Sequence, residues 1–295
     1  MIMRPVQILT DSCSDLSGEL LEKYNIDYMK MNTVYEGKET PASLTWEYYS
    51  PKELYDIMRA GNRVTTTQVP AQTFMETFKA YLEKGMDIVY VGCASPLSGS
   101  VNTGHVIAKE LLAKYPDADI RCINSLNACV GEGMIAIRAA VLRDEGLSAA
   151  QIEEKLLPER NLVRQFVTVD SLDALKRAGR VKASAAFFGN LMGVRPIIIS
   201  DVNGNNTPIK KAKGRANSMA EVVNLLKEYI EPAKQTVYIV HADCIDDAKK
   251  MEEMVKAALP EVDTYITYIG PIIGASIGPG AVGVFAFGKE VTAEG

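Results

Sequence analysis

The chain has 295 residues, 47% hydrophobic and 23% charged, with a formal net charge of −5. That length suits two globular domains, each large enough to bury a core. The acidic balance, with Lys and Arg scattered among acids, argues against a nucleic-acid partner and against adsorption to anionic lipid surfaces.

The first half alternates short apolar runs with helical periodicity. VQILTDS predicts a strand and SGELLEKYN a helix. An interruption follows, with a strand, a turn at Glu36-Gly37, and a helix opened by Ser50-Pro51 with Glu53 in the capping-box position. DIVYVGCAS and DIRCINS read as strands, each followed by a helix, in VNTGHVIAKELLAKYP and GEGMIAIRAAVLRDEG. Strands that each feed an apolar-periodic helix predict parallel βαβ units in a doubly wound, Rossmann-like sheet. Near Pro158 the pattern changes. RQFVTVDSL, VRPIIISDVNGNNTPIKKAK, QTVYIVHAD and DTYITYIGP supply strands, including a pair joined through Asn-Gly turn chemistry, with helices between them. This predicts an α/β chain of two domains: residues 1–160 with a parallel sheet, and 161–295 with a smaller mixed sheet.

The stretch GPIIGASIGPGAVGVFAFG, Gly270 to Gly288, carries no charge. It is long enough to span a bilayer if helical, but Pro271, Pro279 and its glycines oppose that helix. A glycine-rich loop that approaches something buried is the alternative. The N-terminal MIMRPVQILTDSCSD has no apolar run long enough for a signal peptide, so a cytoplasmic location is expected.

Cys13, Cys93, Cys122, Cys129 and Cys244 are odd in number and contain no Cys-x-x-Cys pair. Reduced thiols are expected, and no metal site. His105 and His241 lack metal-ligand spacing.

Ligands of doubly wound folds bind beyond the carboxyl ends of strands. The loops there are TDSCSD, TTTQVP, ASPLSGS and NSLNACVGEG. Thr66, Thr67, Ser95 and Ser98 offer hydroxyls, and Gly99 allows close backbone approach, which suits a carboxylate or phosphate. The threonines also suit a helix cap. A serine nucleophile lacks a Gly-x-Ser-x-Gly elbow and a nearby base. Dinucleotide and P-loop fingerprints are missing, and no cofactor is expected.

Taken in order, these motifs resemble the DegV family, which includes the fatty-acid-binding FakB subunits of bacterial fatty acid kinases. The resemblance rests on TDSCSDL (Thr10–Leu16), TTQV (Thr66–Val69), LSGS (Leu97–Ser100), NSLNACVGEG (Asn124–Gly133), LDALKRAGRV (Leu172–Val181), RPI (Arg195–Ile197) and GPIIGASIGPG from Gly270. It implies a binder without catalysis of its own. One long-chain fatty acid would lie between the domains, and a partner kinase subunit would phosphorylate its carboxylate with ATP. Thr66, Ser98 and Ser276 fall on the family's head-group positions, and Ser276 replaces the family's histidine. Cys129 stands for its serine and Asn124 for its aspartate. Phe187, Phe188, Leu191, Met192 and Ile273 suit an acyl tail, although the same run also reads as a core helix. Arg177, Arg180, Lys211 and Arg215 are the expected kinase-docking cations. The alternative function is a stand-alone enzyme acting on a small acidic or phosphorylated metabolite.

Overall fold

β1 (Val6–Asp11) is buried along its whole length, as a strand covered on both faces must be. In the computed structural model, which describes residues 4–184, 187, 193–231 and 233–293, it pairs in parallel with β2 (Ile26–Met29) on one side. On its other side lies β6 (Asp87–Gly92). β7 (Ile120–Asn124) completes the parallel order β2-β1-β6-β7.

Helices cover both faces of this sheet. On one, α3 (Ala71–Glu83) and α4 (Ser100–Leu112) pack Phe74, Phe78 and Leu111 around Tyr90. On the other, α5 (Val130–Asp144) and α6 (Ala149–Glu159) bring Met134, Ile135 and Ile152 against Ile8 and Val89. α1 (Gly18–Lys23) follows β1 and is capped by Ser17.

The interruption forms a sheet of its own. β3 (Asn32–Tyr35) and β4 (Lys38–Pro41) make a hairpin. Its turn residues Glu36 and Gly37 both have positive φ, the requirement of a tight two-residue turn. β5 (Thr65–Thr67) pairs with the free edge of β3, so the threonine run is a strand, and Pro70 rather than a threonine stands at the N-cap of α3. α2 (Pro51–Arg59) opens with the expected capping box between Ser50 and Glu53. Ser50→Ala should cost about 1 kcal/mol of stability, read as a lowered urea midpoint with an unchanged m-value.

The second sheet is mixed, in the order β10-β9-β8-β13-β11-β12. Its strands are β8 (Val163–Thr168), β9 (Val194–Ser200), β10 (Asn206–Lys213), β11 (Thr236–His241), β12 (Asp263–Tyr268) and β13 (Val282–Phe287). Only β11 and β12 run parallel. The β9–β10 turn is held by Asp201, whose carboxylate accepts from the Asn203 and Asn205 amides. α8 (Arg215–Tyr229) and α9 (Ile245–Ala258) cover one face. Residues of the other face, Val167, Val240 and Phe285, share a continuous core with α5. The two sheets therefore meet through side chains of both.

The uncharged C-terminal stretch is neither a span nor one long loop. α10 (Pro271–Ile277) starts on Pro271 and ends at Gly278, and β13 follows at the centre of the mixed sheet. No helix among the described residues is long and apolar enough to cross a membrane. Gly283 is required by packing, because a Cβ there would lie 2.6 Å from the Phe166 carbonyl oxygen and 2.5 Å from a Val167 methyl.

Candidate functional site

β1 and β6 lie side by side, with β2 continuing the sheet to one side and β7 to the other. This is the switch point at which α/β sheets leave a crevice beyond their strand ends. Here the crevice is a cavity of about 160 Å³. Cys13 and Cys93, which follow the two strands, lie on its wall.

One patch of the lining is polar. Thr66, Thr67 and Gln68 reach it from β5 and the following turn, and Ser98 and Gly99 from the start of α4. Thr67 Oγ1 is buried without a hydrogen-bond partner among the described residues, a costly state that an acceptor in the cavity would relieve. Ser98 Oγ donates to Ser100 Oγ at 3.1 Å and accepts from the Ser100 amide at 3.3 Å. Gly99 lies against the Gln68 side-chain amide, and a Cβ there would come within 2.2 Å of Gln68 Oε1 and push that side chain aside. Gln68 is held in turn by donating to Thr103 Oγ1 at 2.8 Å. The N-terminus of α4 thus faces an opening edged with hydroxyls, the arrangement that favours an anion.

Ser276 and Ile273 project from α10 into the same cavity. Ser276 Oγ meanwhile donates within its own helix to the Ile272 carbonyl at 3.4 Å. Arg180, expected on a docking patch, also lines the cavity. Its Nε donates to the Leu97 carbonyl at 3.2 Å and its Nη1 to the Ala178 carbonyl. The positive φ of Gly179 at the end of α7 (Asp173–Ala178) turns the chain so that Arg180 points inward. Nothing in the basic string KRAGR distinguishes that arginine from its neighbours. Gln165 and Asn206, joined at 3.3 Å, add a polar flank that sequence reading missed.

The rest of the wall is apolar, with Leu175, Val167, Val240, Ile277 and Phe285 among its members. Phe187 is not part of the described lining. It packs on the shared core, and the Lys211 ammonium stands 5.0 Å from its ring centroid. Phe188, Leu191 and Met192 lie outside the described residues. Ser95 is also off the lining, its amide donating to Asn124 Oδ1 at 3.3 Å. That same oxygen accepts from the Leu126 amide, so Asn124 does an acceptor's work that an aspartate would also do.

A second, smaller recess shares Thr66, Arg180 and Ser276 with the cavity and adds Asn62, Arg63 and Arg177. Arg215 stands elsewhere, paired with Asp247 at 2.9 Å. Neither histidine lines the cavity. His105 is exposed on α4. His241 is buried, accepts from the Cys244 amide at 3.3 Å, and is pushed down to about 4 by burial. With neither imidazole on the lining, none stands beside Ser98 or Ser276 there.

Below the strand ends lies a set of buried acids and thiols. Asp11 accepts from Tyr90 Oη at 2.6 Å and from the Cys13 amide at 2.8 Å. Burial raises the pKa of Asp11, of Glu132 and of the Cys129 thiol. Asp15 is pushed up to about 8 by burial, against partial relief from the Cys129 thiol and the Gly270 amide.

A family described as "Uncharacterised protein, DegV family" matches residues 5–289. A DegV domain-containing protein of Clostridium perfringens is 35% identical over 287 residues, 97% of this chain and 98% of that one. A DegV lipid-binding protein from Thermotoga maritima superposes with a TM-score of 0.84 at 26% identity, covering 98% of this chain and 100% of its own. A structure from Thermus thermophilus described as fatty acid binding of a DegV-family protein gives 0.87 at 24% identity, over 97% and 100%.

Proposed function

We propose that this chain, which belongs to the DegV family, holds one long-chain fatty acid between a lobe of residues 1–160 and a lobe of residues 161–295. It presents the carboxylate to a partner kinase subunit for ATP-dependent phosphorylation. The observation that carries the reading is the cavity's mixed lining: apolar side chains together with hydroxyls, a helix N-terminus and, among the described residues, a single arginine. The carboxylate takes the patch formed by Thr66, Thr67, Ser98, Gly99 and Ser276, and the tail runs along Ile273, Ile277 and Val240. Each buried methylene contributes roughly 0.8 kcal/mol before ordering costs. The tail therefore supplies affinity, and the polar patch fixes direction.

The chain itself performs no chemistry in this scheme, and it acts in the cytoplasm. The recess beside the head group, with Arg63 and Arg177, is the face a kinase would approach. Lipid-binding and fatty-acid-binding relatives support the ligand class.

Mass spectrometry of an organic extract of purified protein tests this directly. One long-chain acid per chain is the expected result. A polar metabolite in its place would favour a stand-alone enzyme. Adding an ATP-dependent acyl kinase should then yield acyl phosphate from the bound acid. Ser276→His tests the head-group assignment, because an imidazolium adds a charge-assisted hydrogen bond of about 1.5–3 kcal/mol. Acid affinity below neutral pH should rise, and an unchanged affinity would remove Ser276 from the site.

A further inference from the structure

The cavity wall carries a chemistry that lipid binding does not use. Cys13 Sγ, Cys93 Sγ and a carboxylate oxygen of Glu132 lie within 4.8 Å of one another, and all three residues are buried. Met31 Sδ stands 3.4 Å from Cys13 Sγ, so a third sulfur joins the group. Glu132 is oriented on one side only. Its Oε1 accepts from Thr10 Oγ1 at 2.9 Å, while Oε2 is buried and finds no hydrogen-bond partner among the described residues. We propose that Cys13, Cys93 and Glu132 form a binding site for a thiophilic d10 cation of the Zn2+ or Cu+ type, entered from the cavity.

The donor set fits. Zinc takes cysteine sulfur at about 2.3 Å and carboxylate oxygen at about 2.0–2.2 Å. Two sulfurs on one ion then stand roughly 3.8 Å apart, inside the limit the three atoms already satisfy. Thiolate and thioether donors also select Cu+. Anionic thiolate and carboxylate donors offset the charge of a buried cation. The supports are also in place: Thr10 orients the carboxylate, and Asp11 holds the Cys13 backbone. The cavity reaches both cysteines and Met31, which gives the ion a path. Loading replaces the S–H bond of each cysteine and the O–H bond of Glu132 with a bond to the metal, and the displaced protons leave through the cavity.

The experiment uses the reduced full chain without oxygen, titrated with Zn2+ and separately with Cu+ against a chromophoric chelator. One equivalent per chain is expected for at least one of the ions, with protons released to a weak buffer as the ion binds. Cys13→Ser and Cys93→Ser should each weaken binding roughly 100-fold, and Glu132→Gln about tenfold. Cys122→Ser and Cys244→Ser should bind as the parent does. Thermal melts of each variant separate loss of the site from loss of the fold. Co2+ added to the unaltered chain gives a second reading, since a thiolate-to-cobalt charge-transfer band is expected in the near ultraviolet. Uptake by only one ion identifies the occupant. No stoichiometric uptake of either ion, no cobalt band, or equal binding by folded Cys13→Ser and Cys93→Ser variants overturns the proposal. None of these readouts involves a fatty acid, so the outcome is independent of the lipid-binding reading.

Discussion

Arg180→Met binds a long-chain fatty acid at least about tenfold more weakly than the parent chain, in line with the 1.5–3 kcal/mol of a hydrogen bond to a charged group. The same variant binds the corresponding long-chain alcohol almost as well as the parent does. The contrast follows from position. Arg180 is the one arginine or lysine in the described lining of the main cavity. Neither histidine is in that lining, so no imidazolium stands there to share an anion's charge. Methionine keeps an apolar stem of similar length and removes only the guanidinium, which leaves the tail contacts intact. Affinities for acid and alcohol, measured side by side by displacement of a fluorescent fatty acid, decide the matter. An equal loss for both would make Arg180 a packing residue. No loss for either would place the carboxylate elsewhere.

Asp15→Asn stabilises the protein at alkaline pH, and the gain grows as pH rises. Asp15 is buried, and its pKa is pushed up to about 8 from an ordinary value of 3.8. The folded state thus holds a proton that the unfolded chain releases. Its contribution is intact below about pH 4 and is lost as pH climbs to about 8. A tenfold change in proton affinity is worth about 1.4 kcal/mol, so the full penalty reaches about 6 kcal/mol. Asparagine cannot ionise and should flatten the profile. Glu132 and Asp11 are raised by burial as well, and they leave a residual slope of the same sign. Urea midpoints of parent and variant across pH 4 to 9 test this. A gap that stays constant over that range would show that Asp15 ionises in the folded protein as it does in water.

The local chemistry of the chain was readable from the start. β1, β6 and β7 are short apolar runs bounded by polar turns, and each leads to a helix. The Glu36-Gly37 turn and the Ser50 capping box are set by neighbours in sequence, so pattern reading finds them. What escaped depends on partners far along the chain. Thr65–Thr67 is a strand only because β3 offers an edge to it. Val282–Phe287 is a central strand because β8 and β11 both need a neighbour there. Arg180 turns inward on the backbone of Gly179, and the basic string around it gave no hint of that. Cys13, Cys93 and Glu132 share no motif, since β1, β6 and α5 bring them together only in space.

The central place of β13 has a consequence for synthesis on the ribosome. β8 begins roughly 120 residues before β13, and β11 also comes earlier. Until β13 emerges, β8 with β9 and β10 forms one ribbon, and β11 with β12 another, each with a naked edge. At 5–20 residues per second that wait lasts on the order of ten seconds. Through that interval the nascent second half depends on chaperones or on its own polar edges to avoid pairing with a neighbour.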